Sequence, residues 1–189
     1  MNSKIRVFNI LEDARFGGPQ KRVIEIARSL DDHIDTIMVF PAFGSQLYKR
    51  LIPQENEIVI VDIQTPTLDN VYKYLIFFLR DVVRIYKAIK DVSPDIVHAS
   101  GGCWQIRGAL AAKMAGVKCV WHLNDTYSPR LIRFLFFILS RLADGFIFSG
   151  RSVRDYYKNL LPKKSTGVVI YPPVSTDLIN IPTLRRSVF

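Results

Sequence analysis

The feature that most limits how this chain can fold is an alternation. Short apolar, β-branched runs recur along it, and longer segments with helical spacing lie between most of them. The runs are Ile5 to Ile10, Ile34 to Phe40, Glu57 to Val61, Asp95 to Ala99, Lys118 to Leu123, Gly145 to Ser149 and Val168 to Tyr171. Each reads as a buried strand. The helical segments are Pro19 to Leu30, Asp69 to Asp91, Trp104 to Ala115, Ser128 to Leu142 and Ser152 to Leu161. Strands that alternate with helices demand right-handed crossovers. They therefore predict a Rossmann-like α/β fold, with a mainly parallel sheet and helices on both faces. The punctuation agrees: Pro19 suits a first helical turn, Gly116 a helix stop, and Pro94 separates a long helix from the next strand. Residues 41–54 read as a loop with a short helix. Residues 1–171 read as one domain, and Pro172 to Phe189, with three prolines, as a linker or tail.

At 189 residues the chain is long enough for one well-packed domain and too short for two full α/β domains. Its 49% hydrophobic and 23% charged residues exclude a disordered polypeptide. Cys103 and Cys119 are too few for a disulfide framework and read as small buried hydrophobes in a reducing compartment. No His/Cys cluster has metal-ligand spacing, and neither a metal nor a cofactor is expected. The opening MNSKIRVFNI reads as a strand rather than a secretory leader. No apolar run reaches bilayer length. A cytoplasmic protein follows as the expectation. The net charge of +9 favours an anionic partner: nucleic acid, an acidic membrane surface or a phosphorylated ligand.

In an open parallel sheet, ligands bind beyond the carboxyl ends of the strands. Asn9 stands at the end of the first run, and Gly17-Gly18 follow it. His98 and Ser100-Gly101-Gly102 end the fourth, His122, Asn124 and Asp125 the fifth, and Ser149 the sixth. Two of the three histidines thus fall on one edge. Gly17-Gly18 opens a helix, where backbone approaches a ligand closely and free N–H groups favour an anion. Lys21 and Arg22 either add charge there or lie on solvated helix surface. His122 is either a satisfied core histidine or a hydrogen-bonding partner of a sugar hydroxyl or phosphate.

The segments FGGPQKRVIEIARSL, PDIVHAS, VKCVWHLNDT, ADGFIFSGRSVRDYY and VVIYPPVSTDLI occur in that order. Together they resemble the N-terminal, acceptor-side domain of the retaining GT-B glycosyltransferases called family 4. The resemblance implies transfer of a sugar from a nucleotide-sugar donor to a glycan or lipid-linked acceptor, without a metal. It implies that Gly17 and Gly18 approach the donor phosphates and the acceptor. His122 would reach the donor sugar at the reacting centre, while His98 and Ser149 match further strand-end positions. Ser100 stands where a second histidine is common, and Pro172 where Asn-Gly is common. The donor-holding second domain lies outside the resemblance, so the chain alone is expected to be inactive.

Two helical segments suggest a membrane surface. Lys73, Arg80, Arg84 and Lys87 share a stripe centred on Phe77. Arg130, Arg133 and Arg141 share a face with Phe134 and Phe137, opposite a core-facing stripe of Leu131, Leu135, Ile138 and Leu142. Arginines among phenylalanines suit a lipid headgroup zone; they also suit a solvated face with rings packed under arginine stems. A non-catalytic, membrane-docked subunit that recruits a separate donor-binding chain is the alternative function. No base-reading motif supports specific nucleic-acid binding. The absence of G-x-G-x-x-G argues against a dehydrogenase.

Overall fold

The computed structural model describes residues 4–13, 17–30, 32–42, 57–63 and 71–172. Seven strands form one sheet: β1 (Ile5–Ile10), β2 (Ile34–Pro41), β3 (Glu57–Val61), β4 (Ile96–Ser100), β5 (Lys118–Leu123), β6 (Gly145–Phe148) and β7 (Gly167–Val169). All neighbouring pairs are parallel. The strand order is β3-β2-β1-β4-β5-β6-β7. The helices are α1 (Gly18–Ser29), α2 (Val71–Ile76), α3 (Phe78–Val92), α4 (Ile106–Ala115), α5 (Arg130–Leu139) and α6 (Arg151–Tyr157). This is the expected fold class. The chain works outward from β1 to β3, then returns to β1's other side with β4. The gap between the ends of β1 and β4 is therefore the switch point where open α/β sheets bind ligands.

Sheet pleating separates two apolar clusters. Phe8, Ile10, Ile37, Val39, Val97, Ala99, Cys119 and Trp121 pack beneath α3, α4 and α5. Leu11, Met38 and Phe40 pack against Val23, Ile24 and Ala27 of α1 on the opposite side. Both cysteines are buried and unpaired, as read from the sequence. Burial pushes their thiols up, to about 11 for Cys103 and about 12 for Cys119, so both stay protonated.

The long segment expected over residues 69–91 is one rod with a loosened joint. Phe77 separates α2 from α3, yet its N–H reaches the Lys73 carbonyl (3.1 Å) and its own carbonyl takes the Asp81 N–H (2.9 Å). Ser93, with φ 51°, and Gly116, with φ 74°, end α3 and α4 in the left-handed conformation.

The core stripe read for the fifth helix is corrected. Ile132 and Phe136 are buried, whereas Leu131 and Ile138 are 44% and 45% exposed. Phe136 wins the inward position because two buried aromatic partners meet it edge-on: Trp121 at 4.9 Å and Tyr157 at 5.2 Å between ring centroids. A helix with leucine, isoleucine or phenylalanine at eight of ten positions offers its core several faces. The partners choose among them.

Candidate functional site

Strand register builds the site. Asn9 of β1 lies opposite His98 of β4, and Ser100 of β4 lies opposite His122 of β5. The pleat turns Asn9, His98 and His122 to the same side of the sheet. The Asn9 amide donates to the Val7 carbonyl (3.2 Å), which leaves its Oδ1 for His98 Nδ1 at 2.7 Å. His98 Nε2 then meets His122 Nδ1 at 3.1 Å.

This chain of bonds sets the tautomers. Asn9 Oδ1 can only accept, so His98 carries its proton on Nδ1 and presents Nε2 as an acceptor. His122 must donate from Nδ1. Its Nε2 is left as a bare lone pair, buried and without a partner among the described residues. Burial, and then the nearby Arg22 charge, hold both rings neutral: His98 falls to about 4 and His122 to about 2. His122 is therefore a hydrogen-bond acceptor and far too weak a base to remove a proton at neutral pH.

Arg22 is the residue that the sequence reading left undecided. It is 5% exposed, on α1, and donates from Nη2 to Asn124 Oδ1. Desolvation lowers its pKa to about 10. Gly18, Pro19, Arg22, Asn124, Ser149 and Pro172 line a small cavity of about 160 Å³. Gly17 is the extended cap of α1, and Gln20 closes that turn: Gly17 N–H donates to Gln20 Oε1 (3.1 Å), and Gln20 Nε2 to the Asp13 carbonyl (3.2 Å).

Of the expected site residues, the structure brings Gly18, Asn124 and Ser149 to this cavity, and places His98 and His122 in Arg22's electrostatic reach. Ser149 spends its hydroxyl on the Asn124 carbonyl (3.1 Å), so it shapes the strand end. Ser100 is fully buried, with no hydrogen-bond partner for its Oγ among the described residues. Asp125 goes elsewhere: it takes the Tyr157 hydroxyl at 3.2 Å and crowds Gly102, whose hypothetical Cβ would stand 2.6 Å from Asp125 Oδ2. Gly102 also sits at φ 85° and gives its carbonyl to Trp121 Nε1 (2.8 Å), so a side chain is excluded there twice over.

Behind the site lies a buried ionic knot that no motif announced. Arg107 of α4 donates to Glu12 (2.5 Å) and to Asp81 of α3 (2.8 Å), and its guanidinium lies 4.4 Å from the Tyr74 ring centroid. Glu12 also accepts the Gly108 N–H (2.9 Å), and Gln105 takes the Glu12 N–H (3.2 Å). Burial raises the Glu12 carboxyl despite the Arg107 charge. The knot ties the end of β1, where the glycine loop begins, to α3 and α4. Among the described residues no group of three His, Cys, Asp or Glu side chains is placed to hold a metal ion.

The basic faces are less free than their spacing suggests. Phe77 is half-buried with Arg80 stacked on it at 4.9 Å, and Arg84 is bonded to Asp62. Phe137 lies under Arg141 at 5.2 Å. Lys73, Arg130, Arg133 and Phe134 are exposed. What the sequence reading missed is an apolar stripe on α2 and α3: Tyr72, Ile76, Leu79 and Val83, between 44% and 78% exposed. No helix among the described residues is long and apolar enough to cross a membrane.

Known structures share this fold. The fold superimposes on HepE of Anabaena, determined with UDP-glucose: TM-score 0.66, 18% identity, 92% of this chain and 45% of that one. It superimposes on a glycosyltransferase of Rickettsia africae with TM-score 0.68, 16% identity, and coverage of 95% and 46%. It also matches a putative UDP-N-acetylglucosamine 2-epimerase of Listeria monocytogenes: TM-score 0.66, 16% identity, coverage 87% and 44%. The chain thus spans about half the length of each, as one half of a GT-B fold. At these identities the likeness is one of fold, and fold is shared by transferase and epimerase alike. No curated protein matches at the level of sequence. The family model for Glycosyltransferase Family 4 matches residues 16–178, from the glycine loop past β7. The chain belongs to glycosyltransferase family 4.

Proposed function

We propose that this chain is the acceptor-side half of a retaining glycosyltransferase that draws on a nucleotide-sugar donor and serves a membrane or lipid-linked acceptor. The observation that carries the reading is the pairing, on one sheet edge, of a buried bare imidazole nitrogen with a buried cation. His122 Nε2 suits a sugar hydroxyl, which donates to it. The α1 N-terminus and the Arg22 side suit phosphate charge that grows as the donor's bond to its diphosphate breaks.

The low basicity of His122 also bears on the reaction's course. A base acting on the acceptor hydroxyl needs a pKa near the working pH, and neither imidazole has one. In same-face substitution the sugar's C1–O bond to the diphosphate breaks as the C1–O bond to the acceptor forms. The acceptor proton passes to the departing phosphate oxygen, so the protein positions groups rather than taking a proton. The exposed stripe of Tyr72, Ile76, Leu79 and Val83, with Lys73 beside it, supports docking on an anionic membrane. The α5 face of Leu131, Phe134, Phe137, Ile138, Arg130 and Arg133 supports it too.

Assay of the chain alone, and joined to a donor-binding half, tests the reading. The expected results are no turnover alone, transfer with retained anomeric configuration when joined, and at least a tenfold loss of kcat in His122→Ala. An inverted product, or normal kinetics in His122→Ala, overturns it. Vesicles with anionic lipid should sediment the chain. Changing Ile76, Leu79 and Phe134 together to Ser should abolish that, and unchanged binding would remove the membrane component.

A further inference from the structure

β1 and β4 pair from Val7 opposite Ile96 to Ile10 opposite Ala99, and there the ladder stops. Beyond it lies the gap at the switch point, and one side chain ties its two sides together. Gln105, the residue that caps α4, is 1% exposed. Its Oε1 takes the Glu12 N–H, just past the end of β1 and 93 positions away in the chain, at 3.2 Å. A backbone N–H can only donate, so the amide is held one way round, with its oxygen toward Glu12. Nε2 is thereby turned to Gly101, where a Cβ would stand 2.5 Å from it. Gly101 also has φ 138°, so the turn admits no side chain. Gly101 and Gly102 then donate their N–H groups to the His122 carbonyl, at 3.4 and 3.1 Å.

We propose that Gln105 is a positioning residue, which sets the spacing across this gap between His122 and the loop that leads into α1. On one side it acts through Glu12, whose neighbour Asp13 gives its carbonyl to Gln20 of α1 (3.2 Å). On the other it acts through the Gly101-Gly102 turn, from which the His122 backbone hangs. A buried N–H left without its acceptor is costly, so losing the Gln105 oxygen forces the end of β1 to move toward another partner. A centre whose groups come from both sides of the gap is sensitive to such a shift: a misplacement of about 1 Å costs roughly a hundredfold in rate. That the spacing serves sugar transfer rests on the glycosyltransferase reading; the tie itself rests on these contacts alone.

The test compares three variants. Gln105→Met keeps the side chain's length and loses the acceptor. Gln105→Glu keeps an acceptor for the Glu12 N–H. Ile89→Val is a buried change in the last turn of α3. Steady-state kinetics use the chain joined to a donor-binding half. The imidazole ¹⁵N resonances of His122 are read in the chain alone, with circular dichroism confirming that each variant is folded. Gln105→Met should lower kcat at least tenfold, change KM less than threefold and shift the His122 resonances. Gln105→Glu should recover part of the lost kcat. Ile89→Val should lower the melting temperature and leave kcat and the resonances unchanged. A folded Gln105→Met with kcat within twofold of wild type, or with unshifted His122 resonances, overturns the positioning role and leaves the proposed function standing. Equal losses of kcat in Gln105→Met and Gln105→Glu, or a matching loss in Ile89→Val, overturn it too. An assembled enzyme that transfers no sugar, with His122 resonances that still move in Gln105→Met, would sink the proposed function and leave the tie across the gap standing.

Discussion

His98 Nε2 stands 3.1 Å from His122 Nδ1, and Asn9 decides which of the two carries the proton between them. The consequence is measurable. In wild type, the ¹⁵N spectrum should show His98 as the Nδ1–H tautomer and His122 as the Nδ1–H tautomer. Asn9→Leu removes the acceptor and should scramble both, while the fold's melting behaviour changes little. An unaltered tautomer ratio in that variant would show that something other than Asn9 sets it.

Both imidazoles titrate well below the ordinary value of 6.5. The unfolded chain takes up protons as pH falls through 6.5, whereas the folded chain refuses them until about 4 or lower. Stability is therefore full above pH 6.5 and falls as the pH drops, with a limiting slope of about 1.4 kcal/mol per pH unit for each ring. Denaturant midpoints should decline from pH 7 to pH 5, and less steeply in His122→Gln. A flat profile would mean that the rings accept protons in the folded state.

The Arg107 knot should behave as a buried network with one cation at its centre. Arg107→Met leaves Glu12 and Asp81 buried without it, a change that costs about 3–5 kcal/mol in such sites. Glu12→Gln, which keeps hydrogen-bonding capacity, should cost less. Urea titrations would read both, and a loss below about 1 kcal/mol in Arg107→Met would show that water reaches the knot.

Gly102→Ala combines an unfavourable φ with a collision against Asp125. The backbone part alone costs about 1–2 kcal/mol. Adding Asp125→Ala should recover the collision part and leave the backbone part, which a double-mutant cycle measures. Full recovery would place all the cost in the collision.

Periodicity in the sequence determined the strands, the helices, the fold class and the edge that carries the polar residues. That is so because burying a strand or a helix face demands a repeating apolar pattern, which shows locally. The two histidines and the glycine pair were legible for the same reason: they interrupt such patterns at predictable points. Arg22 was not legible, because a lysine and an arginine side by side after a helix start look like solvated surface. Only the segment that follows β5, reaching α1 through Asn124, gives the guanidinium its partner. Phe136 rather than its neighbours faces inward because Trp121 and Tyr157, distant in sequence, meet there. Asp125 turned toward Tyr157 for a like reason. Local pattern sets what an element is; which side chains lose water, and which partners answer their charge, is decided only when separate elements pack together.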